Sequence, residues 1–212
     1  MGAAEGLFIT IEGPNGCGKT TFTGFLKESL EKAGKKVFLT KEPSETPFGG
    51  YVRRNEGSLR GEPYAYLIAA DRCYHLETIV CPKLLGYDFV LCDRYIESSL
   101  VLQSFDGVSD EIIWRLNGPF RIPDLSIILT ASPDVLGGRL SKRGELTTFE
   151  KRMTREEEAQ RYLDVSEKIA ERGFKTLLMR NETESDLKKN IEKSAEQINI
   201  LFVEKRNRHE EN

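Results

Sequence analysis

The apolar positions of the chain form short runs that alternate with stretches of helical spacing. Runs with the length and branched composition of buried parallel strands cover residues 7–11, 37–40, 89–92, 125–129 and 174–179. Between them, apolar residues recur every three or four positions and predict helices over 20–33, 64–85, 96–105, 109–117 and 184–202, with others beginning at Ser132 and Thr154. This alternation predicts an α/β fold, in which a parallel sheet is covered by helices on both faces.

Four stretches interrupt the regular pattern. Residues 44–61 are rich in glycine and proline, so we expect mostly loop there, with room for a short helix. Pro82 lies inside a helical pattern, where it either kinks the helix or starts a new turn. A charged stretch covers residues 141–152, and the polar tail over about 204–212 is predicted to fray.

The most specific motif follows the first predicted strand. Residues 13–20 read GPNGCGKT, which matches the GxxxxGKT pattern of a phosphate-binding loop. Glycines let the backbone wrap round a phosphate, while successive N–H groups and the next helix N-terminus attract the anion. In this pattern Lys19 reaches the β- and γ-phosphates, and the Thr20 hydroxyl is placed to ligate Mg²⁺. The strand before the loop and the helix after it favour this interpretation over a chance glycine-rich turn.

Two further polar segments also follow predicted strands. Residues 41–43 (Lys-Glu-Pro) end the second strand, and residues 93–95 (Asp-Arg-Tyr) end the third. Ligands of parallel sheets bind beyond the carboxyl ends of the strands. We therefore expect both segments and the glycine loop to line one cleft.

The charged residues of this cleft have a functional and a structural interpretation. Asp93 ends an apolar strand, where a carboxylate needs a partner, and a Mg²⁺ ion shared with Thr20 would be one. Arg94 would clamp a transferring phosphoryl group. The alternatives are a structural Asp93–Arg94 ion pair and, for Arg72 on the long helix, a similar structural pairing.

The charged stretch over 141–152 is a candidate lid. Arg139, Arg143 and Arg152 flank residues 144–149, and a mobile basic flap there would close over phosphates and exclude water. The alternative is a solvated charged loop. His75 is expected to have a structural or surface role.

Composition narrows the class of protein. The chain has 212 residues, 39% hydrophobic and 31% charged, which predicts one soluble globular domain over 1–212. A net charge of −3 argues against nucleic acid or an anionic membrane as partner. We expect neither a membrane span nor a signal peptide. The four cysteines lack metal-type spacing, which indicates reduced thiols in a cytoplasmic protein.

Together these segments resemble the thymidylate kinase family over roughly residues 7–163. The shared pieces are Ile11-Glu12-Gly13 with the loop, Lys41-Glu42-Pro43 with Thr46-Pro47 and Arg53, Ala69-Ala70-Asp71-Arg72 with His75, Asp93-Arg94-Tyr95 with Ser98, Pro123-Asp124-Leu125, Pro133, Arg143-Gly144-Glu145-Leu146, Phe149-Glu150 and Arg161-Tyr162-Leu163. The resemblance implies a three-layer P-loop NTPase fold with a five-stranded parallel sheet and a short lid. It also implies ATP and Mg²⁺, transfer of the γ-phosphoryl group to a nucleoside monophosphate, and a homodimer packed through helices.

The motifs and the resemblance together assign roles to individual residues. The implied catalytic residues are Lys19, Arg94 and Arg143, the last neutralising charge in the transition state. The implied metal ligands are Thr20 and Asp93. The implied ATP-binding residues are Gly13, Asn15, Gly16, Cys17, Gly18, Lys19, Thr20 and Thr21. The implied acceptor-binding residues are Asn15, Lys41, Glu42, Arg53, Ile68, Arg72, Arg94, Ser98, Ser99 and Leu102.

The chain departs from the family pattern in the acceptor pocket. Asn15 stands where the family usually has a carboxylate on the sugar 3′-hydroxyl, and Lys41 where it has arginine. Ile68 replaces the aromatic that stacks on thymine, and Leu102 the Tyr or Phe that crowds out a ribose 2′-hydroxyl. Further replacements of charged residues are Thr130, Thr147 and Thr148. We expect phosphoryl transfer to be retained and acceptor selectivity to be weakened.

Three hypotheses of function follow. The first is a thymidylate-kinase-like nucleotide kinase with dTMP as acceptor. The second is a kinase for a different or modified nucleotide, or for another phosphorylated acceptor in a specialised pathway. The third is a non-catalytic nucleotide-binding regulator, against which the retention of Lys19, Asp93 and Arg143 argues. ATP turnover with and without a panel of monophosphates separates the three.

Overall fold

The computed structural model describes residues 5–144 and 146–210. Its centre is a five-stranded sheet with the order β2-β3-β1-β4-β5, and every pair of neighbouring strands is parallel. The strands are β1 (Leu7–Glu12), β2 (Val37–Lys41), β3 (Phe89–Asp93), β4 (Leu125–Thr130) and β5 (Thr176–Arg180). The predicted α/β class and the five-stranded parallel sheet are confirmed.

Helices connect successive strands and cover both faces of the sheet. Their bounds are α1 (Lys19–Lys32), α2 (Pro47–Asn55), α3 (Gly61–His75), α4 (Cys81–Leu84), α5 (Ile96–Phe105), α6 (Asp110–Asn117), α7 (Pro133–Leu140), α8 (Thr148–Arg152), α9 (Arg155–Glu171) and α10 (Glu184–Glu210). Among these described elements, no helix has the length and apolar character needed to cross a membrane.

The structure adds detail at two places that the sequence left open. A π-helical turn over Leu76–Val80 precedes Pro82. The wider turn gives the proline ring room, since in an α-helix it would clash with the carbonyl four residues earlier. Within residues 44–61, α2 is a nine-residue helix whose N-terminus is capped by the Thr46 side chain.

The tail that the sequence predicts to fray is helical over residues 204–210, because α10 continues to Glu210, and the fraying itself stays a prediction. Lys205 Nζ donates to the Gly6 carbonyl at 3.0 Å and to Asp124 Oδ1 at 3.1 Å. Arg206 lies 3.4 Å from an oxygen of Asp88. These contacts hold a polar segment that composition alone predicts to be loose.

Successive apolar residues of β1 to β4 pack into hydrophobic cores on opposite faces of the sheet. Leu7, Ile9 and Ile11 of β1 pack with α1 and α10, whereas Phe8 packs with the helices of the opposite face. Burial of each such side chain contributes roughly 1.5–3 kcal/mol, so a sheet covered on both faces requires continuous apolar strands. This is why the strands appear in the sequence as uninterrupted apolar runs.

The carboxyl ends of β2, β3 and β1, which are neighbours in the sheet, lie side by side at one end of the sheet. Asp93 pairs in register with Ile11 of β1 on one side and with Lys41 of β2 on the other. The three polar segments that follow these strands therefore meet in space, as the sequence predicts.

Candidate active site

The loop between β1 and α1 has the backbone that a phosphate cradle requires. Gly13, Gly16 and Gly18 have positive φ values of 136°, 86° and 96°. A side chain at Gly13 is excluded by space as well, since its Cβ would lie 2.2 Å from the Leu129 carbonyl. Lys19 Nζ lies inside the loop and donates to the carbonyls of Gly13 at 2.7 Å and Pro14 at 3.1 Å. The Lys19 ammonium group is therefore positioned inside the loop, where a phosphate would bind.

A divalent cation fits beside this loop. Asp93 ends β3, and its Oδ1 is buried without a hydrogen-bond partner among the residues described. Thr20, at the start of α1, is exposed and lines the same cavity as Asp93. A hard cation such as Mg²⁺ prefers hydroxyl and carboxylate oxygens and would satisfy the orphaned oxygen. The donor set matches the predicted metal ligands, whose role stays a prediction.

Arg94 follows Asp93 with a φ of 75°, an uncommon value for a residue with a side chain. Its guanidinium donates to Ser98 Oγ at 3.0 Å, to the Tyr162 hydroxyl at 2.9 Å and to Asn15 Oδ1 at 2.7 Å. Although burial lowers the pKa of Arg94, the neighbouring Tyr162 hydroxyl and the nearby carboxylates raise it above its ordinary value. Arg94 thus donates across the cleft rather than forming the structural pair with Asp93.

Glu12 supports this arrangement from below and was not singled out for a role by the sequence. Its carboxylate is fully buried and accepts from Tyr95 N at 2.5 Å and from Ser98 Oγ at 2.7 Å. Burial and the neighbouring Glu97 raise the pKa of Glu12 to about 8, while Arg94 and the hydrogen bonds lower it. No local pattern marks this role, because it depends on partners more than 80 residues away.

Lys19, Asp93 and Arg94 line a cavity of about 670 Å³. The predicted site residues in its lining are Asn15, Gly16, Gly18, Lys19, Thr20, Thr21, Lys41, Glu42, Ile68, Asp93, Arg94, Leu102 and Arg143. The predicted residues outside this lining, within the part of the chain described, are Gly13, Cys17, Arg53, Arg72, Ser98 and Ser99. The cleft predicted from the strand ends is therefore present, and it extends from the glycine loop to α3 and α5.

Arg72 lies beneath the cavity and binds the protein itself. It is 2% exposed, and its Nε donates to Glu42 Oε2 at 2.7 Å. Its remaining nitrogens donate to Ser99, Asn117 and the Tyr95 carbonyl. The structural interpretation of Arg72 therefore describes its observed contacts, and acceptor binding by Arg72 and Ser99 stays a prediction.

Arg53 is likewise engaged by backbone, with Nη1 2.6 Å from the carbonyls of Pro43 and Ser44. It fixes the turn after β2, from which Lys41 and Glu42 reach the cavity. Lys41 is half exposed and pairs with Glu45 at 2.8 Å. Binding of an acceptor phosphate by Lys41 stays a prediction.

Glu42, His75 and Cys92 form a buried group that resembles a metal site in composition. His75 Nδ1 lies 3.2 Å from Glu42 Oε1, and its Nε2 lies 2.6 Å from Thr40 Oγ1. Burial raises the pKa of the Cys92 thiol well above its ordinary value, which disfavours the thiolate that binds metals. His75 is a buried structural residue, in line with its predicted role.

The sequence assigned no site role to several other residues of the cavity lining. Gln103 is 3% exposed, and its Oε1 has no hydrogen-bond partner among the described residues. Tyr64, Glu56 and Phe149 also line the cavity. Helical spacing predicts burial of such residues on α3 and α5, but it gives no sign that they face a ligand.

The candidate lid carries Arg143 beside the loop. Arg143 Nη2 lies 2.6 Å from Glu150 Oε1, and Glu150 also closes a capping box with Thr147 at the start of α8. Arg139 donates to the carbonyls of Gly16 at 3.1 Å and Asn181 at 3.0 Å, outside the lid. The described parts of the stretch, 141–144 and 146–152, place Arg143, Thr147 and Phe149 in the cavity lining; Glu145, part of the family motif, lies outside the described residues.

A parallel sheet whose first strand passes through a positive-φ glycine loop into a helix, with an aspartate ending the neighbouring strand, defines a P-loop nucleotide-binding protein. The family model of thymidylate kinase matches residues 11–198. The chain belongs to the thymidylate kinase family, whose members are nucleoside monophosphate kinases.

Individual relatives agree with this assignment. A probable thymidylate kinase of Caldivirga maquilingensis is 39% identical over 149 residues, which cover 68% of this chain and 73% of that protein. A probable thymidylate kinase of Pyrococcus abyssi is 38% identical over 155 residues, covering 69% and 76%. The crystal structure of thymidylate kinase from Ehrlichia chaffeensis has a TM-score of 0.64 over 94% of this chain and 96% of that one; at 23% identity it supports the fold.

Proposed function

We propose that the protein transfers the γ-phosphoryl group of ATP to dTMP. The observation that carries the proposal is one cavity in which the phosphate loop faces a second group of residues from β2, α3 and α5. The names of the relatives favour dTMP over a different acceptor, and favour an enzyme over a non-catalytic regulator.

The donor half of the cavity is formed by the loop. Backbone N–H groups of Gly16 to Thr21 and the start of α1 bind the phosphates of ATP, with Gly13 and Cys17 shaping the turn from behind. Lys19 leaves the carbonyls of Gly13 and Pro14 and donates to the β- and γ-phosphates. Because Lys19 is 8% exposed, its charge acts in a largely desolvated site.

We further propose that Thr20 and Asp93 hold Mg²⁺. The unpaired Oδ1 of Asp93 supports this assignment. Magnesium supplies charge neutralisation on the donor phosphates when bound there. Asp93 also fixes the start of the turn that directs Arg94 toward the cavity.

The acceptor half lies between α3 and α5. Arg94 lines the cavity and donates to Asn15 of the loop, and it is proposed to bind the acceptor phosphate and the transferring group. Ile68 and Leu102 form the apolar walls for base and sugar, and Gln103 offers an amide to the edge of the base. Arg53, Arg72, Ser98 and Ser99 are proposed to position these walls through the contacts described above.

Arg143 is proposed to complete the site from the lid. Its side chain is half exposed, lines the cavity and is paired with the buried carboxylate of Glu150. Charge that develops on the transferring phosphoryl group would draw it inward.

The test is ADP release from ATP and Mg²⁺ with dTMP, dUMP, UMP and CMP at matched concentrations, and without acceptor. We expect turnover that depends on the acceptor and is highest with dTMP. If turnover is highest with another monophosphate, that monophosphate replaces dTMP as the proposed substrate. Tight ATP binding without turnover in every arm would overturn the kinase assignment in favour of a regulator.

We also propose a cytoplasmic homodimer that packs through α2 and α3. Tyr51, Tyr66 and Tyr74 are each about half exposed there, at 50%, 50% and 47%, and a paired helix face would cover them. Light scattering coupled to gel filtration tests this. Tyr66→Asp should give monomers, whereas Leu85→Asp, at an exposed site that follows α4, should leave dimers intact.

A further inference from the structure

Glu158 on α9 holds the phosphate loop from outside the cavity. Its Oε1 accepts one hydrogen bond from the Asn15 backbone N and a second from Asn15 Nδ2, both at 2.9 Å. Glu158 is 2% exposed, whereas Asn15 lines the cavity. Glu158 is not among the residues that line the cavity, and Asn15 is the lining residue to which it is hydrogen-bonded.

The contact decides which way the Asn15 amide points. With Nδ2 bound to Glu158, Oδ1 faces the opposite way and accepts from Arg94 Nη2 at 2.7 Å. A carboxylate cannot donate and a guanidinium cannot accept, so both partners demand the same orientation. The Asn15 amide is thereby fixed between one negative and one positive group.

We propose that Glu158 is a positioning residue of the active site, which orients Asn15 and through it Arg94, and which requires a neutral hydrogen-bond donor at position 15. The inference rests on the proposed function, in which Arg94 binds the acceptor phosphate and the transferring group. It deepens that function by explaining why an amide, and not a carboxylate, suits this loop.

The charge of Glu158 sets this requirement. The substitution Asn15→Asp would bring a second carboxylate oxygen to within hydrogen-bond distance of Glu158 Oε1, where only a proton could reconcile them. It would also add a negative charge to the wall that faces the phosphates. Adding Glu158→Gln would remove the repulsion, because the glutamine amide can donate to the new carboxylate.

The same carboxylate also connects the loop with the lid. Arg155 Nη1 lies 3.6 Å from Glu158 Oε2, and Arg155 Nη2 donates to the Met153 carbonyl at 2.7 Å and to the carbonyl of Glu150. Glu150 in turn pairs with Arg143. A displacement of Glu158 would therefore shift both Arg94, through Asn15, and Arg143, through Arg155 and Glu150.

A double-mutant cycle tests the proposal with Asn15→Asp, Glu158→Gln and the double variant. Glu156→Gln, at an exposed position of the same helix, is the matched control. The readouts are kcat and KM with dTMP, the Kd of a non-hydrolysable ATP analogue with Mg²⁺, and the midpoint of thermal unfolding. We expect Asn15→Asp to lower kcat/KM at least tenfold and weaken the analogue at least fivefold. Adding Glu158→Gln should restore both to within about threefold of Glu158→Gln alone, a rescue that requires coupling between the two sites.

Two results would overturn the inference: Asn15→Asp behaving as wild type, or the two substitutions multiplying their losses in the double variant. If Asn15→Asp folds poorly, the unfolding midpoint serves as the readout, and the double variant must unfold above Asn15→Asp. If the wild type lacks turnover with dTMP, the proposed function fails, while the cycle in analogue affinity still decides the role of Glu158. Glu156→Gln should remain within about twofold of wild type throughout.

Discussion

Arg94 has an energetically unfavourable backbone conformation and a side chain that donates to three acceptors. Its φ of 75° lies in the left-handed region, which costs a residue with a side chain on the order of 1–3 kcal/mol. The conformation is held by the bond from Arg94 N to the Ile11 carbonyl at 3.0 Å and by three side-chain acceptors. The backbone conformation of Arg94 thus lowers the free energy of unfolding, and it directs the guanidinium into the cavity between the loop and α5.

Lys19 gives the first prediction. Lys19→Ala should lower kcat by at least about a hundredfold, since loss of one preorganised charge on the transferring group costs roughly 3 kcal/mol. Circular dichroism should be unchanged, because the Nζ contacts are loop carbonyls that water can satisfy. Lys27→Ala, at a partly exposed position of the same helix, is the control. Wild-type turnover in Lys19→Ala would refute its assigned role.

Glu12 gives a prediction about pH. Its pKa is raised from 4.5 to about 8, so between these values the folded protein keeps a proton that the unfolded chain has lost. The free energy of unfolding should therefore fall as pH rises from about 4.5 to about 8. Glu12→Gln, which cannot ionise, should flatten this slope in urea titrations across that pH range. An identical slope in the variant and the wild type would show that Glu12 does not titrate there.

At the scale of elements, the lid segment and α9 act on the site together. Glu150 caps α8, pairs with Arg143 and offers its carbonyl to Arg155 at the start of α9. The ion pair of Arg152 with Asp106, at 2.6 Å, ties the far end of α8 to the turn after α5. Within the lid, Arg143 is therefore the arginine that faces the cavity.

Arg143→Ala should lower kcat and kcat/KM by similar factors, on the order of tenfold or more, with little change in KM for either nucleotide. An interaction made only in the transition state has this signature. Initial rates over a range of ATP and dTMP concentrations measure it, with exposed Lys151→Ala of α8 as control. A rise in KM alone would make Arg143 an ordinary binding residue.

The facing residues of α3 and α5 set the acceptor selectivity. Ile68 and Leu102 pack at the cavity wall, and neither has the rigid bulk of an aromatic ring against a ribose 2′-hydroxyl. We predict that dUMP is preferred over UMP by less than roughly 100-fold in kcat/KM, about 2.7 kcal/mol. Leu102→Tyr should raise the preference. A wild-type preference well above this value would mean that other side chains exclude the hydroxyl.

The sequence predicted those parts of the site that depend on neighbours along the chain. The glycine loop and the Asp93–Arg94 pair lie at strand ends, and a local pattern is enough to identify them. Glu158 and Gln103 act through contacts that only the packed helices create, such as the bond from α9 to a loop 143 residues earlier. Arg72 was assigned to a ligand because its spacing matched a motif, while the buried Glu42 that engages it lies on another element.

At the scale of the whole molecule, α10 runs from the carboxyl ends of the strands back to their amino ends. It begins just after β5 and, at 27 residues, is roughly 40 Å long. Its last turns contact Gly6, Asp88 and Asp124, which lie at or before the amino ends of the strands. The helix therefore joins the start of β1 to the end of the described chain.

Lys205→Ala should remove this anchor without touching the cavity. We expect the free energy of unfolding to fall by about 1 kcal/mol, since one partly exposed cation loses its bonds to a carbonyl and a carboxylate. For a chain of this size the melting midpoint should drop by about 2–4 °C. Calorimetry measures the change, and Lys193→Ala, exposed on the same helix, is the control. Loss of turnover in Lys205→Ala would contradict the expectation that the contacts of Lys205 and the cavity are independent.

That separation has a practical consequence for single-molecule work. Lys205 and Gly6 meet at the amino edge of the sheet, whereas the cavity opens at the carboxyl edge, about 20 Å away along the six residues of β1. A surface tether or a fluorophore attached at exposed Glu204 would therefore leave the cavity mouth open to solution. Immobilised molecules attached in this way would all present the same face to the nucleotides flowing past them.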